Sequence, residues 1–244
     1  MRVLVLGDGL LASEVVRQAG WDYMSRKKDG LDYTKGPRNI IETISPNIPL
    51  VQISEYDVIV NLIACTDTYL EDKDLMKKVN FDAVKTLVDY CNHTGTKLIH
   101  YSTDYVYANS KSNASEEDLP CPAKNWYSYY KLLADEYIKE NSENYLICRG
   151  SQKPKPFPYV KAWTNQFGNF DYVDVIASIF IKMIKAGASG LYNIGTPTKT
   201  IWKLASETSE SVEKALAPRN FPLDTTMDLT KMNKFLINEE RNQT

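Results

Sequence analysis

The sequence predicts an α/β protein: a doubly wound parallel sheet of the Rossmann type carrying a small C-terminal lobe. Three observations lead there. Short apolar runs alternate with amphipathic stretches of helical period, the pattern of a parallel sheet covered on both faces. A glycine turn, Gly7-Asp8-Gly9, joins the first such run to the first helix. After Ser151 the alternation gives way to a proline-punctuated stretch.

Taken in order, "RVLVLG" (2–7) is short, apolar and closed by glycine, which predicts a buried strand, and "LLASEVVRQAG" is a helix stopped by Gly20. "WDYMS" is the second strand, and "PRNIIETIS" (37–45) is a helix that must end before Pro46. "DVIVNLIA" (57–64) is a strong buried strand; "DLMKKVNFDAVKTLVDYCNHTG" (74–95) reads as one long amphipathic helix. "KLIHYST" (97–103) and "YLICRGS" (145–151) are further strands, separated by a polar loop and the helix "NWYSYYKLLADEYI" (125–138). "QKPKPFPYV" (152–160) is too rich in proline for regular structure. Beyond it lie a helix, "VDVIASIFIKMIKAG" (173–187), and a short strand, "GLYNIG". The expected division is a dinucleotide-binding domain over 1–150 and a mainly substrate-binding lobe over 151–244, with the helix near 173–186 returning to the first domain.

Bulk properties narrow the field. With 43% hydrophobic residues the 244-residue chain can bury an ordinary core. A net charge of −2, with no long basic run, gives no pull towards nucleic acid or an anionic membrane. No stretch approaches the roughly 18 apolar residues of a membrane span, and "MRVLVLGDG" is too brief for a signal peptide's apolar region, so a cytoplasmic location is expected. Cys65, Cys91, Cys121 and Cys148 show no metal-ligand spacing, and His93 and His100 fall in different elements, so no metal site is expected.

The turn Gly7-Asp8-Gly9-Leu10-Leu11-Ala12 stands where a dinucleotide fingerprint belongs. The first glycine makes the turn, the second lets backbone approach a pyrophosphate, and a small third residue allows close helix packing. Residues at the end of the second strand choose between cofactors. Ser25, Arg26 and Lys27 favour the 2′-phosphate of NADP(H), whereas Asp22 is the carboxylate that would suit NAD(H).

On the helix "NWYSYYKLLADEYI", Tyr127 and Lys131 are four residues apart and share one face. An ammonium near a phenol favours the phenolate, tuning Tyr127 for proton transfer near neutrality. Tyr129 and Tyr130 point elsewhere and are assigned to packing. Upstream, "YSTDYVYANS" places Thr103 and Asp104 at the carboxyl edge of a strand, where sites form in open α/β sheets. A hydroxyl, a phenol and an ammonium beside a nucleotide suit carbonyl reduction: hydride from the cofactor, a proton from Tyr127, a hydrogen bond from Thr103. Asp104 is either a ligand or a loop cap.

At this point the chain resembles the extended short-chain dehydrogenase/reductases, and more closely the dTDP-4-dehydrorhamnose reductase family. "VLGDGLLAS", "DVIVNLIACT", "KKVNFDAVKTLVDYC", "IHYSTDYVY", "NWYSYYKLLADE", "YLICRGS", "TNQFG", "GLYNIGT" and "LDTTMDLTKM" fall in the family's order. The specific part is "STDYVY" followed by Tyr-x-x-x-Lys. The resemblance implies Thr103, Tyr127 and Lys131 as catalytic residues, with Thr103 and Asp104 also touching the sugar. It further implies Gly9, Leu10 and Leu11 at the pyrophosphate, Asp32 and Tyr33 at the adenosine end, and Ala64, Cys65, Thr66 and Tyr101 on the nicotinamide side. The implied activity is NAD(P)H-dependent reduction of the 4-keto group of a nucleotide-linked 6-deoxy sugar, in a monomer or homodimer.

The chain also departs from that pattern. Its glycine loop is one residue shorter than usual and ends in Ala12, and Gln152 stands in the substrate region where the family commonly has an aromatic. The segment that follows is compressed. The related sugar-nucleotide 4,6-dehydratases read Thr-Asp-Glu; here Tyr105 follows Asp104 and cannot serve as that base at neutral pH. Two alternatives accompany the reductase reading. One is a non-catalytic NAD(P)-binding subunit resembling the regulatory β subunit of methionine adenosyltransferase. The other is an epimerase-reductase, which would call on cysteine and histidine beside the tyrosine; Cys65 and Cys121 fall near the expected pocket edge but are read as packing or incidental, and neither histidine is assigned to the pocket.

Overall fold

The computed structural model describes residues 1–25, 27 and 55–242; the helix expected over 37–45 lies outside the described residues. The described chain forms two compact units, Met1–Ser102 with Lys124–Ile147, and Thr103–Ala123 with Cys148–Thr244.

In the first unit, strand β1 (Val3–Leu6) is buried along its whole length and runs parallel to β2 (Asp22–Met24) on one side and β3 (Val58–Asn61) on the other. A strand with neighbours on both sides and layers on both faces has no wet surface, which is why "VLVL" does not alternate. Helix α1 (Leu10–Ala19) buries Leu11, Ala12 and Val15 and is capped by Gly20, whose N–H donates to the Val16 carbonyl.

The stretch from 73 to 94 is not one α-helix. It is α2 (Lys73–Lys77), a π-helical turn over Lys78–Asp82, and α3 (Ala83–Thr94). An inserted π turn shifts the facing by one residue, and here it turns Asn80 inward, where the residue is buried. Strand β4 (Lys97–Thr103) pairs parallel with β3, setting Asn61 opposite His100. Helix α4 (Trp126–Asn141) follows, and β5 (Tyr145–Gly150) carries the chain on into the second unit.

The second unit opens with a 3-10 turn over Asp104–Tyr107. Its strands are short: β6 (Gln152–Lys153), β7 (Lys161–Trp163), β8 (Phe167–Gly168) and β9 (Asp171–Tyr172). Helix α5 (Val173–Lys185) and strand β10 (Gly190–Asn193) precede β11 (Lys199–Thr200), α6 (Ile201–Ala205), β12 (Glu213–Ala215), β13 (Asp224–Thr225) and α7 (Thr230–Asn242). The proline-rich stretch read as irregular does contain a strand: Gln152 and Lys153, the two residues before Pro154, pair in parallel with Asp171 and Tyr172. Pairing stops where the prolines remove donors.

Helix α5 buries Ile176, Ala177, Phe180, Met183 and Ile184. A separate cluster gathers Phe157, Ala162, Phe170, Tyr172, Ile201, Leu204 and Ala205. Arg149 is almost wholly buried, its Nη1 donating to the Tyr107 hydroxyl at 2.7 Å with the guanidinium 5.0 Å from that ring's centre. Backbone approaches very closely at Gly195, where any Cβ would overlap the Asn169 carbonyl oxygen. Asn169 cannot retreat, because its side chain holds Thr196 and Met227 and its carbonyl accepts from Thr196. Gly195→Ala is therefore expected to cost about 1–3 kcal/mol, read as a lowered urea midpoint with an unchanged slope.

The six-stranded sheet has the order β10-β5-β4-β3-β1-β2, with parallel pairing from β4 through β3 and β1 to β2. Chain order reverses around β1, which has β2 on one side and β3 on the other. That is the switch point outside which open α/β sheets bind ligands.

Candidate functional site

At the switch point, Gly7 adopts φ +121°, a conformation costly for any side chain, and its N–H donates to Met24 at 2.8 Å. A Cβ there would also press to 3.3 Å on the Leu62 carbonyl. Gly9 caps α1 with extended backbone, and nothing lies within 4 Å of where its Cβ would point. The first intrahelical bond runs from Ser13 N–H to Gly9, so the N–H groups of Leu10, Leu11 and Ala12 precede the ladder. Open space, a helix N-terminus and no acidic residue in the first turn fit a pyrophosphate.

The residues expected to select the cofactor are only partly described. Ser25 is buried and Lys27 exposed, while Arg26, Asp32 and Tyr33 lie outside the described residues. Asp22 is exposed and accepts a hydrogen bond from the Tyr56 hydroxyl at 2.9 Å.

Beyond β3, Ala64 and Cys65 are half-buried and Thr66 is exposed. Both backbone groups of Cys65 are held by one buried amide. Its N–H donates to Asn80 Oδ1 at 2.9 Å, and its carbonyl accepts from Asn80 Nδ2 at 3.0 Å. Sequence reading missed Asn80, since inside an apparently regular helix an asparagine looks like a surface residue. Burial pushes the Cys65 thiol above its ordinary pKa.

Helix α4 begins with Asn125, whose Oδ1 accepts from the Ser128 N–H and hydroxyl, each at 2.8 Å. Next to it an aromatic cluster forms. Trp126 stacks on Tyr130 at 6.0 Å, Tyr129 meets Tyr130 edge-on at 5.1 Å, and Lys73 Nζ lies 4.7 Å from the Trp126 ring centre. Tyr130 is buried, whereas Tyr127, one residue into the helix, is half-buried. Asn125→Ala should cost about 1 kcal/mol by removing the cap, measurable by chemical denaturation.

One turn after Tyr127, Lys131 is 2% exposed. Its Nζ donates to the Tyr101 carbonyl at 2.7 Å and lies 2.9 Å from His100 Nε2. Burial lowers its pKa from 10.5 to about 8, against the opposing pull of Asp135. His100 is wholly buried, and burial, with Lys131 second, holds its pKa well below the usual 6.5. The contact of His100 with Lys131 was not read from sequence; the available signal was its place in the strand just before Tyr101 and Thr103.

In the second unit, Thr103 ends β4 and caps the 3-10 turn, its hydroxyl accepting from Tyr105 N–H at 3.2 Å and donating to Asp104 Oδ1 at 3.3 Å. Asp104 is buried and accepts at Oδ2 from Thr225 at 2.8 Å. Burial raises its pKa, while Lys153, Thr225 and Thr103 act in the opposite direction. Lys153 in turn is lowered by burial, with Asp104 raising it. Gln152 is half-buried on β6 beside Asp171, which accepts from Lys199 at 2.6 Å and Thr196 at 2.9 Å. No group of three or more His, Cys, Asp or Glu among the described residues could hold a metal ion.

The glycine turn at the switch point of a parallel sheet, with flanking helices, is the arrangement of a Rossmann-type fold. A model of the family "RmlD substrate binding domain" matches residues 1–152, and the chain belongs to that family. The dTDP-4-dehydrorhamnose reductase of Salmonella typhimurium is 30% identical over 117 residues, which are 47% of this chain and 37% of that protein. The aligned stretch thus spans about a third of the length of the first curated relatives. Among solved structures, dTDP-4-dehydrorhamnose reductase from Bacillus anthracis in complex with NADP aligns over 100% of both chains with TM-score 0.79 at 17% identity. A hypothetical dTDP-4-dehydrorhamnose reductase from Sulfolobus tokodaii gives TM-score 0.78 at 24% identity, covering 96% of this chain and 94% of that one. No helix among the described residues is long and apolar enough to cross a membrane.

Proposed function

We propose that this protein is an NAD(P)H-dependent reductase of the 4-keto group of a nucleotide-linked 6-deoxy sugar, with dTDP-4-dehydrorhamnose as the leading substrate. One observation carries the reading: a buried lysine with its pKa lowered to about 8, anchored on the Tyr101 carbonyl one helical turn after Tyr127. A buried lysine one helical turn from a tyrosine is placed to tune that phenol. The names of the relatives supply the substrate class.

The cofactor, when bound, supplies the hydride. Gly7 and Gly9 give it room, and the N–H groups of Leu10 and Leu11 receive its pyrophosphate. Ser25, Lys27 and Arg26 favour the NADP(H) form, with NAD(H) the alternative through Asp22. Ala64, Cys65, Thr66 and Tyr101 flank the nicotinamide, and the Asn80 clamp keeps the Cys65 backbone fixed. At the sugar, the Thr103 hydroxyl turns its proton from Asp104 Oδ1 to the carbonyl oxygen. As the C=O π bond opens, Tyr127 delivers its proton to that oxygen, and Lys131 stabilises the phenolate left behind. Asp104 and Gln152 contact the sugar.

The test is a panel of nucleotide-linked keto sugars with NADPH and NADH, read by loss of reduced-cofactor absorbance. Turnover of dTDP-4-dehydrorhamnose is expected. Tight cofactor binding without turnover on any member would replace the reading with that of a non-catalytic subunit.

A further inference from the structure

The hydrogen bonds around Lys131 have directions, and these determine where the protons sit. Asn61 ends β3 opposite His100. Its Oδ1 is 3.2 Å from the Ile63 N–H, a group that can only donate. Its amide nitrogen therefore faces His100 Nδ1, at 3.1 Å, so Nδ1 must accept. A neutral ring then carries its proton on Nε2. An imidazolium would set N–H against NH2 and is disfavoured further by complete burial. The Nε2–H in turn points at Lys131 Nζ, 2.9 Å away. Against an ammonium this contact is donor to donor; against an amine it is a hydrogen bond to the nitrogen lone pair. The amine still donates to the Tyr101 carbonyl at 2.7 Å.

We propose that Asn61 locks His100 as the Nε2–H tautomer and that this ring is a positioning residue, setting whether Lys131 stands as amine or ammonium. Several groups share the surroundings of Lys131. His100 comes from β4 and Tyr127 from one turn earlier on α4. Asp135, on the same helix, has Oδ1 4.0 Å from His100 Nε2 and accepts at Oδ2 from Ser102 at 2.9 Å. Asp135 favours the ammonium. His100 works against it, and the balance lets Lys131 change charge near neutral pH. As a statement about catalysis this rests on the reductase reading; as a statement about proton positions it does not.

The chain has two histidines, so a His93→Gln background leaves one ring to observe. Long-range proton–nitrogen NMR is expected to show His100 protonated at Nε2 and bare at Nδ1. That state should persist across about pH 5 to 9, where an ordinary histidine titrates. In Asn61→Asp both carboxylate oxygens accept, so the ring should reverse to Nδ1–H and offer its Nε2 lone pair to the ammonium. Lys131, followed by its Cε signal and assigned through its absence in Lys131→Met, should then titrate about one pH unit or more higher, the worth of one hydrogen bond. The added carboxylate pushes the same way, and the ring tautomer separates the two causes. A wild-type ring protonated at Nδ1 overturns the proposal, as does an Asn61→Asp protein in which the lysine titration stays put. The wild-type tautomer decides alone should that variant not fold. Failure of every keto sugar to react, with the tautomer as expected, would remove the function and leave this inference standing.

Discussion

Tyr127→Phe is expected to lower kcat by about 10²- to 10⁴-fold, the usual worth of a positioned proton donor, while cofactor affinity stays within a factor of about two. The substitution removes one hydroxyl from a half-buried ring. The helix around it is fixed by other contacts: the Asn125 cap, the Trp126, Tyr129 and Tyr130 rings, and the buried Ala134 and Ile138. The fold should therefore survive, and the loss should fall on the chemical step. Tyr129→Phe is the matched control, since that ring stands at the same end of the helix but packs against Tyr130, and it should keep near-normal turnover. Equal losses from both substitutions would mean that the helix start, not a particular phenol, matters.

Lys131→Met should abolish turnover by at least about 100-fold and also change how stability depends on pH. In the folded protein the Lys131 pKa is about 8, below the 10.5 of an ordinary lysine. Between those values the unfolded chain binds the proton more often, so this group makes stability rise with pH across the window. Its contribution is complete above about pH 10.5 and is lost as pH falls through about 8. At about 1.4 kcal/mol per pH unit, the displacement corresponds to roughly 3 kcal/mol. Methionine has the length to fill the site and no proton to lose. Denaturation at a series of pH values from about 7 to 10 should show a rising difference, wild type gaining on the variant. Parallel curves would mean that the lysine is not held in a form that resists its charge.

These expectations show how much of the site could be read from the chain. That Tyr127 and Lys131 lie one turn apart on a single helix was legible, because helix spacing alone puts residues four apart on one face. The same holds for the glycine turn, which needs only strand, glycine and helix in sequence. Asn61 and His100 were not legible, because strand register brings them together across 39 residues of chain. Asn80 was hidden by the π turn, since one inserted residue leaves the hydrophobic period of 74–95 almost intact while turning a different face inward. The strand at Gln152–Lys153 escaped notice because two residues carry too little pattern beside the prolines that follow. Local geometry was readable; contacts set by register and by a single irregular turn needed three dimensions.

Such contacts matter for the energetics of the site as well. His100 and Lys131 both resist charge through burial, and they lie 2.9 Å apart. Two cations at that separation in a dry interior would repel strongly. Burial keeps the imidazole neutral and lowers the lysine's pKa, so the pair avoids standing as two cations. In the proposed reaction the ammonium form of Lys131 would steady the phenolate that Tyr127 leaves.

The most direct measurement supplies the protein with reduced cofactor deuterated at the transferable position, together with dTDP-4-dehydrorhamnose, and locates the label in the product. Deuterium on the sugar's C4 carbon in wild type, with little in Tyr127→Phe, is the predicted result. A wild-type protein that binds cofactor yet leaves the sugar unlabelled would contradict the account.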